Sequence, residues 1–194
     1  MEVLTAEEGQ IALELARNTL EHRIGKQPEK EIHLTPIFSE KRGVFVTLKE
    51  GGELRGCIGF PYPTTALGDA IREAAFAAAI EDPRFPPVVR SEIPNLAIEV
   101  TVLTPPVRLE CDPGKRPEHI EVGKHGLIIR GRGTSGLLLP QVPVEWKWTC
   151  EEFLDHTCAK AGLPRKSWQS GSCDLYTFEG QIFTESGESP VKTC

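Results

Sequence analysis

The sequence contains neither a long apolar run nor the pattern of a secretory signal. Its longest unbroken apolar stretch, 74–80, is far shorter than the roughly 20 residues that a membrane-spanning helix needs. Residues 1–10 carry three glutamates, whereas a secretory signal is first basic and then apolar. We therefore expect a protein without membrane segments that resides in the cytoplasm.

The sequence also has no excess of positive charge. Its 22 Lys and Arg residues are outnumbered by 28 Asp and Glu residues, which gives a formal net charge of −6. Because neutralising phosphates normally requires a strongly basic surface, we do not expect a nucleic-acid-binding protein. A local basic cluster could bind nucleic acid, but a solvated hairpin explains it equally well. It consists of Lys124, His125, Arg130 and Arg132.

None of the six cysteines belongs to a CxxC pair, the spacing typical of zinc and redox sites. Since no secretion pattern is present, we expect free thiols. The nearest approach to a metal cluster is Cys150, His156 and Cys158. In a helix over 150–161, however, both cysteines fall on one stripe and His156 points elsewhere. The other members of that stripe are Phe153, Leu154, Thr157 and Ala161. We therefore predict a packed helix face, and neither a metal nor a cofactor.

The composition is that of an ordinary globular protein, with 39% hydrophobic and 26% charged residues. A chain of 194 residues can bury a core without disulfides, as one domain or two small interlocked ones. Capping boxes at Thr5–Glu8 and Thr149–Glu152 predict the starts of two helices. We expect Thr64 or Thr65 to cap another helix. Its inner face would be Leu67, Ala70, Ile71, Ala74, Ala75 and Ala78.

Strands are predicted where β-branched and aromatic residues alternate with polar ones. Residues 44–48 and 54–59, separated by Gly51 and Gly52, read as a hairpin. Further strands are predicted over 96–103 and 174–183. The proline-rich segment 104–118 between them is an irregular crossing and the expected border between two parts of the molecule.

The run LRGCIG at 54–59 is the most informative segment of the chain. On a regular strand Arg55 and Cys57 would share a face, roughly 7 Å apart, near enough for the guanidinium to favour the thiolate. Gly56 and Gly59 would leave room for a ligand, since glycine weakens a strand without packing in return. The alternative is a small buried cysteine beside glycines that mark a bulge or a close backbone crossing.

Two other places carry candidate acids. Asp82 and Arg84 lie in a rigid, proline-rich loop that either supplies polar groups to a site or forms only a local ion pair. Glu99 projects from the polar face of strand 96–103. It could serve as a general base for Cys57 only if the two strands were neighbours with matching faces, and is otherwise a solvated acid.

Two further patterns favour structure over chemistry. Gly131, Gly133 and Gly136 match GxGxxG, but no helix follows to bind a pyrophosphate, so we predict a glycine-rich hairpin. Trp146 and Trp148 are predicted to be packing anchors because the charge around them is mixed.

Five segments in this order resemble the AMMECR-one domain family. They are LRGCIG at 54–59, DPRF at 82–85, IEVTVL at 98–103, GLLLPQV at 136–142 and the W-x₄-FL that leads to KAGL at 148–163. LRGCIG is that family's signature, and the resemblance covers nearly the whole chain. It implies an α+β fold with mixed or antiparallel sheets and packed helices.

The resemblance also implies two sub-parts with a hydrophilic cleft between them. The larger would comprise about 1–63 and 119–183, and the smaller about 64–118, with a loose tail over 184–194. By motif position Arg55, Gly56, Cys57 and Gly59 form the expected functional set, and Asp82 and Arg84 are second-rank neighbours. Relatives are often encoded with Memo-like proteins and are associated with radical-SAM-type proteins, and their own chemistry is unassigned.

Two functions follow as expectations. The first is an intracellular enzyme or enzyme component in which Cys57 is a nucleophile or carrier thiol, and Arg55 stabilises its anion or binds a small anionic ligand. The second is a non-catalytic domain that binds a Memo-like or radical-SAM-type partner, with Cys57 chosen for its size. The sequence assigns no reaction class.

Overall fold

The computed structural model describes residues 3–185 and has the predicted α+β fold. The helices are α1 (Ala6–Arg23), α2 (Leu67–Ile80), α3 (Gln141–Glu145) and α4 (Cys150–Lys160). The strands are β1 (Val44–Glu50), β2 (Glu53–Phe60), β3 (Leu96–Leu103), β4 (Val107–Arg108), β5 (Gly126–Gly131), β6 (Thr134–Leu138), β7 (Asp174–Phe178) and β8 (Gly180–Thr184). The chain divides into two compact units. Unit 1 comprises 3–103 and 181–185, and unit 2 comprises 104–180.

Unit 1 is a four-stranded sheet packed against α1 and α2, with the strand order β2-β1-β3-β8. α1 begins at the predicted capping box, in which the Thr5 hydroxyl accepts from the N–H of Glu8 and the Glu8 carboxylate accepts from the N–H of Thr5. Val46, Leu48 and Ile98 point into the core and are buried, as expected for one face of a pleated sheet.

The predicted hairpin of β1 and β2 forms, and its register governs the candidate site. Gly51 and Gly52 have φ values of 60° and 89°, which a two-residue hairpin turn requires. Thr47 on β1 lies directly opposite Cys57 on β2. The register then shifts, and Arg55 is an extra residue without a partner on β1. The strict alternation that was expected to place Arg55 beside Cys57 is therefore interrupted at Arg55.

α2 has the predicted inner face, but its N-terminus differs from the prediction. The residues Leu67, Ala70, Ile71, Ala74, Ala75 and Ala78 are all buried. The expected cap by Thr64 or Thr65 is wrong, because the N-cap residue is Ala66, which makes no side-chain cap. The backbone carbonyl of Glu40 instead accepts the N–H of Leu67, at 2.8 Å.

Unit 2 contains the second sheet, with the order β4-β7-β5-β6, and α4 packs against β5 and β6. The predicted capping box of Thr149 and Glu152 begins α4. The predicted stripe forms its packed face, in which Phe153, Leu154, Thr157, Cys158 and Ala161 are buried and Cys150 is half-buried. The GxGxxG segment is the predicted hairpin of β5 and β6, and Gly136 lies against the backbone of α4's last turn.

The two tryptophans differ from each other. Trp148 packs against the core of unit 2 and stacks on His156, with ring centroids 3.8 Å apart. Trp146 is 68% exposed, and its ring centroid lies 6.2 Å from that of Trp148. The prediction of a packing anchor therefore holds for Trp148 and is wrong for Trp146.

The last predicted strand is two strands in different sheets. The sheet of unit 2 contains β7, whereas β8 joins β3 in unit 1. Glu179 separates them, and its N–H donates to the hydroxyl of Thr104. Unit 2 begins at Thr104, which is the first residue of the border predicted from the sequence.

The observed units have other bounds than the sub-parts expected from the resemblance. Residues 64–103 belong to unit 1, because α2 packs on α1, β1 and β2, and β3 pairs with β1. In the expected tail, Thr184 ends β8, and the Glu185 carboxylate accepts from the guanidinium of Arg17 and from the N–H of Ile98. Residues 186–194 lie outside the described part of the chain.

Candidate functional site

Cys57 lies on the edge strand of the sheet in unit 1, and a loop after α2 covers the strand edge at this point. The outward N–H of Cys57 donates to Oδ2 of Asp82, at 2.9 Å. Its carbonyl oxygen accepts a longer hydrogen bond of 3.5 Å from Nη2 of Arg84. The DPRF segment therefore satisfies both outward backbone groups of this edge residue.

Asp82 is a buried carboxylate, with 4% of its surface exposed. It accepts a hydrogen bond from the backbone N–H of Cys57 and three more from Arg84. The donors on Arg84 are its backbone N–H (3.1 Å) and its side-chain Nε (2.9 Å) and Nη2 (2.7 Å). These bonds, above all those from the Arg84 side chain, hold the pKa of Asp82 far below its ordinary value, although burial opposes the shift. Asp82 and Arg84 thus form the predicted local ion pair and also contact the backbone of Cys57.

The Cys57 side chain is half-buried, and its closest polar contact is with β1. Oγ1 of Thr47 donates to Sγ of Cys57 at 3.3 Å. Because the backbone N–H of Cys57 points away from β1, the Thr47–Cys57 pair is one in which side chains approach closely. Sequence reasoning missed Thr47, which the pairing of the hairpin could have indicated once its register was fixed.

Arg55 does not pair with Cys57. Its Nε donates to Oε1 of Glu92 at 2.8 Å, and its Nη2 contacts Oε2 at 3.3 Å. Glu92 also accepts the N–H of Val89, and its pKa is lowered, chiefly by the hydrogen bond from Arg55. Among residues 3–185, no hydrogen bond or ion pair joins Arg55 to Cys57, and the buried Nη1 of Arg55 has no partner. Sequence reasoning missed Glu92, for which no local pattern exists.

The arginine that contacts residue 57 is Arg84, through the backbone carbonyl oxygen of Cys57. The pKa of Arg84 is raised, mainly by its hydrogen bond to Asp82. The Arg84 side chain is about half exposed, so this guanidinium faces solvent as well as the strand. Arg55, which was expected beside Cys57, pairs with Glu92 instead.

The two signature glycines are explained by packing. Gly56 is buried beneath α2, and a Cβ there would lie 2.1 Å from the carbonyl oxygen of Ala78. Gly59 lies opposite Phe45 on β1, and the ring of Phe45 covers it. A Cβ on Gly59 would lie 2.2 Å from that ring. The room that was expected for a ligand at these positions is thus occupied by α2 and by Phe45.

Glu99 shares a sheet face with Cys57 but lies two strands away. β1 separates β2 from β3, and Thr47 is opposite both Cys57 and Glu99. With a strand spacing of about 4.8 Å, the backbones of Cys57 and Glu99 are roughly 10 Å apart. Nζ of Lys49 binds the Glu99 carboxylate at 3.2 Å. A general base for Cys57 would require Glu99 to lie on a neighbouring strand with a matching face. The faces match, but the two strands are not neighbours.

Residues 3–185 also contain the other groups that could carry chemistry, namely the remaining thiols and acids. The cysteines in this range are free thiols at positions 57, 111, 150, 158 and 173. No group of three or more His, Cys, Asp or Glu side chains in this range is arranged to hold a metal ion. None of the helices described is both long and apolar enough to cross a membrane.

Comparison with known proteins identifies the family of this chain. The AMMECR1 family model matches residues 13–183. The chain belongs to the AMMECR1 family. One relative from Methanopyrus kandleri, Protein MK0488, is 52% identical over 198 residues, covering 98% of this chain and 95% of the relative. Another, from Methanosarcina mazei, is 49% identical over 188 residues and covers 94% of each chain.

A solved crystal structure has the same fold. The crystal structure of the uncharacterized protein PH0010 from Pyrococcus horikoshii superposes with a TM-score of 0.75 at 46% identity. The similarity covers 94% of this chain and 93% of that one. None of these relatives has a name that states an activity.

Proposed function

We propose that this protein is an intracellular enzyme or enzyme component whose reactive group is the thiol of Cys57, acting as a nucleophile or as a carrier thiol. The observation that carries the proposal is the fixation of Cys57 at three points. Asp82 holds its N–H, Arg84 contacts its carbonyl oxygen and Thr47 donates to its Sγ. Covalent catalysis requires a reactive atom held in one orientation, and these contacts support such a role.

The charges and donors around the sulfur suit a thiolate. The Thr47 hydroxyl donates toward the sulfur, and a hydrogen bond to a thiolate is stronger than one to a thiol. The guanidinium of Arg84 contacts the carbonyl oxygen of the same residue and brings a positive charge to this part of the strand. Its exposed side also suits an anionic group of a substrate. In this proposal Arg55 and Glu92 are positioning residues that fix the 89–92 segment through the N–H of Val89.

Thiol reactivity across pH tests the proposal. The protein is alkylated with iodoacetamide between about pH 5 and pH 10, and each cysteine is followed by peptide mapping. Cys111 and Cys150 are also half-buried and serve as internal controls. We expect Cys57 to be alkylated faster than either control. A rate no greater than those of the two controls would contradict a reactive Cys57.

A single substitution separates the thiolate argument from general accessibility. Thr47→Val keeps the shape of the side chain and removes the hydroxyl that donates to Sγ, so alkylation of Cys57 should slow. Thr101→Val is the matched control, because Thr101 lies on the same sheet face, opposite Phe45 and away from Cys57. An equal effect of both substitutions, or none from Thr47→Val, would remove Thr47 from the proposal.

A second candidate function is a non-catalytic domain that binds a Memo-like or radical-SAM-type protein. The observation that favours it is a set of exposed apolar side chains on and after the edge strand, namely Leu54, Phe60 and Tyr62. Exposed apolar groups beside a strand edge are typical of interaction surfaces. In this alternative Cys57 is a small residue whose thiol is not used.

Substitution of the thiol distinguishes the two functions. Cys57→Ser and Cys57→Ala are compared with Phe60→Ser for binding to a co-encoded Memo-like protein and for complementation of a deletion strain. The enzyme proposal predicts loss of complementation in both Cys57 variants with partner binding intact. The binding-domain alternative predicts loss of both properties in Phe60→Ser and retention of both when Cys57 is replaced.

A further inference from the structure

Unit 2 contains an open polar cavity of about 470 Å³. Its lining residues come from two stretches of the chain, residues 108–111 with 116 and residues 171 with 173–175. Four charged side chains line the cavity, namely Arg108, Glu110, Arg116 and Asp174, together with the thiols of Cys111 and Cys173. None of the lining residues belongs to the Cys57 site, and none was singled out as a candidate from the sequence except as a free thiol.

Arg116 is the unusual member of this set, because its guanidinium is buried without a carboxylate. Only 6% of the residue is exposed. Nη1 donates to the carbonyl oxygen of Trp168 at 2.6 Å and, more weakly, to Sγ of Cys173 at 3.5 Å, and Nη2 donates to the carbonyl oxygen of Cys173 at 3.0 Å. Nε is buried and has no partner among residues 3–185. A buried charge that meets only neutral acceptors is costly, and buried charges are normally paired.

The carboxylate of Asp174 pairs with the other arginine of the cavity. Oδ1 of Asp174 accepts from Nη2 of Arg108 at 2.6 Å. The pKa of Arg108 is raised, chiefly by this bond and least by Glu110, so both acids act on Arg108. Within the described residues, Arg116 has no ion pair. Its positive charge is therefore left uncompensated at the cavity wall.

We propose that this cavity binds a small molecule through an oxyanion group, a phosphate or a carboxylate, whose charge Arg116 balances. A guanidinium presents several N–H donors in a plane and suits both groups. The volume lies within the range of small-molecule sites, roughly 300–1,000 Å³. Cys111, which is half-buried at the wall, is a natural reporter of occupancy.

Isothermal titration of the full chain with inorganic phosphate and, separately, with sodium acetate at matched ionic strength tests the proposal. We expect saturable binding of at least one of the two, which also identifies the class of oxyanion. With the anion at about ten times its dissociation constant, roughly nine-tenths of the sites are filled, and alkylation of Cys111 should slow roughly tenfold. Binding of neither anion would overturn the proposal.

Three variants decide whether binding occurs at Arg116. Arg116→Met should abolish binding, and circular dichroism and thermal unfolding report whether it folds. Asp174→Asn removes an exposed carboxylate from the cavity and releases Arg108, so binding should tighten severalfold. Arg165→Ser, an exposed arginine outside the cavity, is the control and should change nothing. If Asp174→Asn leaves the affinity unchanged, or if a folded Arg116→Met binds as the parent does, the cavity is not the anion site.

Discussion

Replacing Asp82 is the most direct perturbation of the candidate site. The carboxylate is buried and accepts four hydrogen bonds, one from Cys57 and three from Arg84. Asp82→Ala removes every acceptor, whereas Asp82→Asn keeps one oxygen and removes the charge. The two variants therefore separate the loss of hydrogen bonds from the loss of the ion pair.

The expected cost follows from the individual contacts. A buried N–H left without an acceptor costs about 1–3 kcal/mol, and Asp82→Ala orphans the N–H of Cys57 and that of Arg84. The ion pair adds at most about 1 kcal/mol, because the Arg84 side chain is half exposed and screened by solvent. Since water reaches part of the loop, we expect Asp82→Ala to lower the free energy of unfolding by about 3 kcal/mol and Asp82→Asn by about 1–2 kcal/mol.

Urea unfolding followed by circular dichroism measures these changes, with an unchanged m-value as the sign of two-state behaviour. The control is Asp69→Asn, because Asp69 is exposed and only 3.4 Å from Arg72, a surface pair worth about 0.5 kcal/mol or less. A free energy of unfolding for Asp82→Ala within about 0.5 kcal/mol of the parent would refute the reasoning, since natural scatter of surface substitutions is of that size.

The same carboxylate gives the stability a defined pH dependence. The pKa of Asp82 is lower in the folded chain than its ordinary value of about 4, so its contribution is present above about pH 4 and is lost as the pH falls below it. Asp82→Asn should therefore flatten the acid limb of the stability curve. A residual slope is expected, because the pKa of Glu92 is lowered in the same direction.

Two further predictions concern the strand itself. Gly56→Ala should destabilise unit 1 by about 3 kcal/mol, because the new Cβ meets the backbone carbonyl of Ala78. The control is Gly171→Ala, which has open space around it and should change the free energy of unfolding by less than about 0.5 kcal/mol. Urea unfolding measures both changes. A double-mutant cycle with Arg55→Gln and Glu92→Gln should give a coupling of about 1 kcal/mol, since both side chains are largely buried. A coupling below about 0.3 kcal/mol would mean that the contact between Arg55 and Glu92 does not contribute to the stability of the fold.

The sequence predicted those parts of the fold that depend on neighbours a few residues apart. The capping boxes at Thr5 and Thr149 each involve a partner three residues away, and both form. The turn at Gly51 and Gly52 likewise follows from the two residues that occupy it. Such local patterns carry their own physical cause, so a single chain suffices to find them.

The site was harder to predict, because its contacts join residues far apart in the chain. Arg55 was expected beside Cys57 from strand alternation, but a bulge interrupts that alternation and Glu92, 37 residues away, binds its guanidinium. Thr47 became a candidate only when the register placed it opposite Cys57. A bulge and a pairing register are properties of two strands together, and one strand's pattern does not contain them.

The glycines of the signature show how a correct premise led to a different cause. Glycine in a strand does call for a reason, and at Gly56 the reason is the approach of α2, whose Ala78 carbonyl occupies the place of a side chain. At Gly59 the reason is the ring of Phe45. Neither glycine therefore argues for a substrate, and the functional argument depends on Cys57 and its neighbours alone.

Only part of what surrounds Cys57 depends on its being a cysteine. Asp82 and Arg84 contact the N–H and the carbonyl oxygen, which any residue at this position would present. The contact with Thr47 is the one that involves the sulfur. Serine or alanine at position 57 should thus leave the loop and the strand edge as they are. A loss of function in such a folded variant would then be assigned to the thiol itself, because the backbone contacts that position it would still be present.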